Sequence, residues 1–241
     1  MNFIEASLCA NEELYTLLHV KGLVQEHHLA FDVGAGGDVS VGIDLVAEKI
    51  FIKYLLPFGE IHSEESGVIK SPTASARIVL DPIDGSENLL SHLPYYGTSV
   101  AYFEAGKCTQ AVIANLANGD VFIKDEKGLR RGKIGSKNFL HVEKNSFSKV
   151  GIFERSYASL QMHEKLHNAQ IKYRSPGAFA LSLAYAHEVA FVLYVGKMRS
   201  YDVEAGLFMC ERLYTFHQGD IFLVSKDKET LDKIIGLFKS D

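Results

Sequence analysis

A mixed α/β fold is predicted by the sequence, and three observations predict it. Short apolar runs rich in β-branched residues alternate with longer segments whose apolar positions recur at helical spacing. Ala105-Gly106-Lys107 and Asn118-Gly119 separate three of the short runs as hairpin turns would, which points to an antiparallel meander. The 241 residues are 47% apolar with no composition shift along the chain, so they can bury a core as one large domain made of two closely packed halves, about 1–147 and 148–241.

Taken in order, Ile4, Leu8, Leu14, Leu17, Leu18 and Val20 give the first stretch, about Asn2 to Leu29, the spacing of an amphipathic helix. Val33 to Asp38 is a glycine-rich loop without the strand-turn-helix context of a dinucleotide site. Asp44 stands just ahead of a second helical run, Leu45 to Phe51, which Pro57 and Gly59 end. Arg77 to Leu80 is a short buried strand, interrupted by Asp81-Pro82-Ile83-Asp84-Gly85, and a helix begins at Ser86. Thr98 to Phe103, Ala111 to Ala114 and Asp120 to Ile123 are the strands of the meander. Beyond Lys149 to Phe153 come helices at Ala158 to Ala169 and Ala178 to His187, then a strand at Val189 to Val195. Asp202 precedes a helix from Val203 to Tyr214, and the chain closes with a strand, Ile221 to Val224, and a helix, Glu229 to Phe238.

Composition limits the function. A formal charge of −5 with scattered Lys and Arg leaves no basic footprint for nucleic acid or an anionic membrane, so neither partner is expected. Lys127, Arg130, Arg131 and Lys133 read as a solvated hairpin face, and His27, His28, His62 and His92 lack zinc spacing. Cys9, Cys108 and Cys210 lack metal or redox spacing, and neither a membrane-span-length apolar run nor a secretory pattern is seen, so a reducing, cytoplasmic setting is expected.

Asp81-Pro82-Ile83-Asp84 carries the chemistry. Two carboxylates three residues apart stand where a buried strand stops, with a proline between them that fixes one φ angle and removes an amide donor. Such a turn can aim both carboxylates and the Ile83 carbonyl at one point, and hard oxygen ligands of this kind suit Mg²⁺. Gly85 and Ser86 then open a helix, whose free N–H groups bind phosphate. A plain Asp-Gly hairpin turn leaves the second aspartate and the proline unexplained. Asp44 and Asp202 fit helix caps as well as ligands on local sequence, and Glu64 and Glu65 fit a solvated pair.

Together these stretches resemble the inositol monophosphatase family, which belongs to a lithium-sensitive, metal-dependent phosphatase superfamily. Arg77 to Leu89 is similar to its hydrophobic-strand, D-P-I-D-G-[ST] and Asn signature. Ser63-Glu64-Glu65-Ser66 is similar to its G-E-E-S segment, and Asp38-Val39-Ser40 leading to Asp44 resembles its D-x-[VST]…D stretch. Arg174 to Ala178 is similar to R-x-x-G-[ST]-A, and Tyr201-Asp202 stands in place of Trp-Asp.

The resemblance implies a layered α/β/α/β/α sandwich of the sugar-phosphatase type and a homodimer. It implies that Glu64, Asp81, Asp84, Asp202 and the Ile83 carbonyl hold two or three Mg²⁺ ions. By the same implication Asp44, Glu64 and Ser86 act in catalysis, with the Ser86 hydroxyl paired to Asp44, and Asp84, Gly85, Ser86, Gly177, Ala178 and Asp202 line the substrate site. The implied substrate is a small phosphomonoester, an inositol or sugar phosphate, with adenosine 3′,5′-bisphosphate as the alternative and a regulatory protein retaining the fold as the alternative of another class. Val195 stands seven residues before Asp202, where inositol-binding members have Glu, and Glu204 replaces a small residue. Those departures leave the alcohol half of the substrate open, because a site that recognises hydroxyls discriminates strongly once its partners change.

Overall fold

The computed structural model describes residues 1–37 and 39–238, so Asp38, the first residue of the D-x-[VST] match, lies outside the described residues. Helix α1 (Phe3–Thr16) opens with a reciprocal cap between Asn2 and Glu5. It is shorter than its periodicity predicts: after Thr16 the chain passes through one π turn, Leu17–Lys21, and Gly22 leaves helical space at φ 79°. The hairpin β1 (Ala30–Val33) and β2 (Val39–Val41) frames the glycine-rich loop. Helix α2 (Gly42–Leu55) starts earlier than expected, so Asp44 is inside its first turn rather than at its cap. The side chain reaches back, with Asp44 Oδ2 accepting the Val41 N–H at 3.0 Å.

Strands β3 (Glu60–Ser63) and β4 (Gly67–Ile69) precede β5 (Arg77–Asp84). The aspartates do not interrupt β5. It continues to Asp84, and against the next strand Asp81 pairs with Ser99 and Asp84 with Gly97, three steps opposite two. The extra residue makes a bulge, which accommodates Pro82 and re-aims the flanking side chains. Helix α3 (Ser86–Leu90) follows, then the meander β6 (Gly97–Glu104), β7 (Lys107–Asn115), β8 (Asp120–Asp125), β9 (Gly128–Lys133) and β10 (Leu140–His141).

The second half runs β11 (Gly151–Glu154), α4 (Leu160–Asn168), β12 (Tyr173–Arg174), α5 (Phe179–Ala184), β13 (Val192–Val195) and α6 (Ser200–Met209). It ends with β14 (Tyr214–Gln218), β15 (Ile221–Ser225) and α7 (Lys228–Phe238). Asp202 lies within the first turn of α6, not before it. That helix stops at Met209, and Tyr214, expected as its last residue, begins a strand instead because β15 offers it an antiparallel partner.

Two sheets result. One has eight strands in the order β10-β9-β8-β7-β6-β5-β3-β4, the other five in the order β12-β11-β13-β15-β14. Alternate residues of β5 face opposite ways: Ile78 and Leu80 pack with Phe3 and Leu14 of α1 and Phe51 of α2, while Val79 faces Leu181 of α5 and Met209 of α6. The second sheet covers the other side of α5 and α6 through Val192 and Phe222, and its outer face packs Leu193 and Leu223 under α4 and α7. The layers are therefore helices, sheet, helices, sheet, helices, the five-layer sandwich expected. Among the described residues no helix is long and apolar enough to cross a membrane.

Arg130, Arg131 and Lys133 are not a free solvated face. Arg130 pairs with Asp125 at 2.6 Å, and Arg131 and Lys133 both reach Asp120, at 2.5 and 2.8 Å. Asp120 is buried, and a buried carboxylate needs such partners.

Candidate metal centre and active site

Four elements bring the acidic side chains together. The bulge of β5 supplies Asp81 and Asp84, the turn after β3 supplies Glu64, the first turn of α6 supplies Asp202, and that of α2 supplies Asp44. Glu64, Asp81 and Asp202 each offer a ligand atom, and these lie within 4.8 Å of one another. Asp84 stands beside this group with its Oδ2 turned to α5, where it accepts the Leu181 N–H at 2.8 Å. Asp44, Asp81, Asp84 and Asp202 are buried, and Ile83 packs its side chain into the core under α1 and α2.

Burial and repulsion from neighbouring acids raise Asp81, Asp84 and Asp44. Burial lifts Asp81 well above the usual carboxylate range, and Glu64, Asp84, Asp202 and Asp44 add to it. Burial likewise lifts Asp84, with the Leu181 N–H opposing and Asp202, Glu154 and Glu64 reinforcing. Asp44 is pushed up to about 7 by burial, the Val41 N–H opposing and Glu65 and Glu64 reinforcing. Asp44 Oδ1 and Asp81 Oδ1 are buried with no hydrogen-bond partner. Unpartnered carboxylate oxygens in a group of like charges fit a divalent cation and fit little else.

The glycine-rich loop presses on this group. Gly36 N–H donates to the Glu64 carbonyl at 2.7 Å and Ala35 N–H to the Glu65 carbonyl at 2.9 Å. A Cβ on Gly36 would fall 2.5 Å from Glu64 Cγ, so only glycine lets the loop approach this closely. Ser40 donates its hydroxyl to Glu65, and Glu48 accepts Ser66 Oγ at 2.6 Å, so the residues flanking Glu64 are held while Glu64 faces the acids.

Gly85 has φ 84°, and a Cβ there would meet the Ala178 Cβ at 3.0 Å and the Gly177 carbonyl at 3.2 Å. The phosphate-type turn and the Gly177-Ala178 segment, distant in sequence, are thus in contact. Asn88 locks them, donating to the carbonyls of Tyr95 and Pro176 at 2.7 Å each. Among the described residues no hydrogen bond joins Ser86 to Asp44, whose Oδ2 is engaged by Val41.

Two side chains escaped the sequence reading. Glu154, at the end of β11, is buried and accepts the Gly177 N–H at 2.9 Å and the Ser182 hydroxyl, which braces the segment against Gly85. An acid closing an otherwise apolar strand was its signal. Arg199, three residues before Asp202, reaches both Asp202 and Glu64.

Comparison with known proteins follows the same lines. The sequence profile described as the inositol monophosphatase family matches residues 33–212. A fructose-1,6-bisphosphatase/inositol-1-monophosphatase of Methanocaldococcus jannaschii is 26% identical over 221 residues, covering 83% of this chain and 85% of that one. The Nus factor SuhB of Xylella fastidiosa is 28% identical over 186 residues, covering 71% of this chain and 66% of that one. The fold is shared with the crystal structure of Leishmania major fructose-1,6-bisphosphatase at a TM-score of 0.81 and 14% identity, over 98% of this chain and 93% of that one.

Proposed function

The chain belongs to the inositol monophosphatase family, and from that we propose that it is a metal-dependent phosphomonoesterase that hydrolyses a small phosphorylated alcohol of the inositol or sugar phosphate type. The observation that carries the proposal is the meeting of Glu64, Asp81 and Asp202 within 4.8 Å beside a left-handed glycine turn. Hydrolysis of a phosphomonoester needs charge neutralised on the phosphoryl oxygens and a water made nucleophilic, and an acid cluster next to free backbone N–H groups supports both.

In this reading the metal is Mg²⁺, two or three ions, held by Glu64, Asp81, Asp84, Asp202 and the Ile83 carbonyl. A metal held there would supply a more acidic water and would offset charge on the phosphoryl group. The protein's own groups do the rest. Asp44 Oδ1, buried and without a partner, accepts a proton from the attacking water, and Glu64 and the Ser86 hydroxyl orient that water. The N–H groups of Gly85 and Ser86 hold phosphoryl oxygens, with Asp84 and Asp202 at the edge of that pocket, and Gly177 and Ala178 form the wall for the alcohol. Asp202 comes from the second half of the chain, so residues 1–147 and 148–241 act as one unit. Lithium inhibition, a homodimer and a cytoplasmic setting belong to the same proposal.

Phosphate release is the test, from inositol 1-phosphate, fructose 1,6-bisphosphate, histidinol phosphate and adenosine 3′,5′-bisphosphate, with and without Mg²⁺. The expected result is Mg²⁺-dependent turnover of an inositol or sugar phosphate that Asp84→Asn abolishes. Turnover confined to the nucleotide would move the substrate class, and none on any compound despite bound metal would refute the enzymatic reading.

A further inference from the structure

Arg199 is the N-cap residue of α6, and its guanidinium lies against acids assigned above as metal ligands. Nε and Nη2 meet Asp202 Oδ2 and Oδ1 at 2.9 and 3.0 Å. Nη1 lies 2.9 Å from Glu64 Oε1 and donates to the Gly36 carbonyl at 3.2 Å. A planar fork that takes both oxygens of one carboxylate and bridges to a second is the strongest geometry arginine makes with acids. The guanidinium therefore joins three separate elements: the glycine-rich loop, the turn after β3 and the start of α6.

We propose that Arg199 is a built-in counter-cation that competes with the divalent metal for Glu64 and Asp202, so that metal loading displaces it and releases its hold on Gly36. The inference rests on the metal-site reading above. Asp202 has both oxygens engaged by the fork, so a metal that draws on this carboxylate meets the guanidinium on the same two oxygens. A guanidinium and a divalent ion sharing one small acid cage also repel each other strongly where burial keeps water out. The Arg199 side chain is 31% exposed, so its charged end can turn into solvent without crossing the core. Once it leaves, the loop keeps its Gly36 N–H bond to the Glu64 carbonyl and loses the one to Arg199. Metal loading and loop freedom are then linked, and by reciprocity anything that pins the loop against Arg199 weakens metal binding.

The experiment is calorimetric titration of Mn²⁺ into metal-stripped wild type, Arg199→Gln and Arg199→Lys, with melting temperatures taken before metal is added. Arg199→Gln keeps polar bulk without charge. It should bind Mn²⁺ about tenfold more tightly, a difference of about 1.4 kcal/mol, and melt lower when stripped. Arg199→Lys, which keeps the charge but loses the fork, should fall between the two and serves as the comparison should Arg199→Gln not fold without metal. In wild type, hydrogen exchange at residues 34–37 should speed up on Mn²⁺ addition. Equal or weaker Mn²⁺ binding by both variants would overturn the proposal and make Arg199 a brace for its acids. Absence of Mn²⁺ binding in wild type and variants alike would remove the metal-site reading as well, whereas sound wild-type binding without a gain in the variants removes this inference alone.

Discussion

Asp81 is 2% exposed, has one oxygen without a partner and is surrounded by Glu64, Asp84, Asp202 and Asp44. Such a group strains the metal-free protein, because each charge must be desolvated beside others of its sign. Asp81→Asn removes one charge at nearly constant shape. It should raise the stability of the metal-free protein by about 1 kcal/mol while removing turnover, the usual opposition between stability and a strained site. Urea unfolding of the stripped proteins, read beside phosphate release, checks it, and an unchanged or lowered midpoint would sink it. Glu154 works in the other direction. Glu154→Ala leaves the Gly177 N–H and the Ser182 hydroxyl without their acceptor, which should cost about 1–3 kcal/mol and raise KM more than it lowers kcat, with Glu154→Gln recovering part of the loss. A kcat loss at unchanged KM would instead put Glu154 among the reacting groups. At this scale the sequence was legible where residue types are unusual together: Asp81, Pro82, Asp84 and Gly85 in five positions have few readings. Glu154 and Arg199 were not, since their roles depend on partners brought close by tertiary packing.

Helices α5 and α6 carry the site between them. Leu181 of α5 holds Asp84, Asp202 belongs to α6, and the two helices touch at Gly206, where a Cβ would meet Leu183 Cβ at 2.5 Å. Gly206→Ala should therefore push α6 off α5, destabilise by about 1–3 kcal/mol and shift Asp202 relative to Asp84. Mn²⁺ titration should show weaker binding in that variant, and a cost confined to stability would show that the site tolerates the displacement. The elements themselves were largely legible. Period-two and helical spacing marked the meander and most helices, because those segments have one face to bury. The ends were less legible. The bulge that carries β5 through Asp84 and the β14 strand at Tyr214 depend on neighbours, Ser99 and Gly97 in one case and β15 in the other, which local spacing does not contain.

The five layers hold together through polar ties as well as apolar packing, and Asp120 anchors one of them. It lies on β8 of the first sheet, pairs with Arg131 and Lys133 of β9, and accepts the Tyr185 hydroxyl at 2.7 Å from the chain that follows α5. Arg131 extends the tie to Glu188 at 3.2 Å, so the sheet and the middle helical layer are joined around one buried acid. The layer order itself was legible only through the family resemblance, since no local pattern says which face of a sheet a distant helix covers. Burial alone would raise the Asp120 pKa, but its bonds to Arg131, Lys133 and Tyr185 outweigh burial and hold it at about 2, against 3.8 for a free side chain. The folded state thus binds the Asp120 proton less readily than the unfolded state. Its contribution is complete above the unfolded value, diminishes as pH falls from about 4 and is lost by about pH 2. Asp120→Asn should lower the melting temperature at pH 7 and flatten the fall in stability between pH 4 and pH 2, with little effect on metal affinity, because Asp120 is not among the clustered ligands. Melting curves of both proteins across that range test the point. A variant whose stability falls as steeply as wild type would show that other acids, not this tie, set the acid limit of the fold.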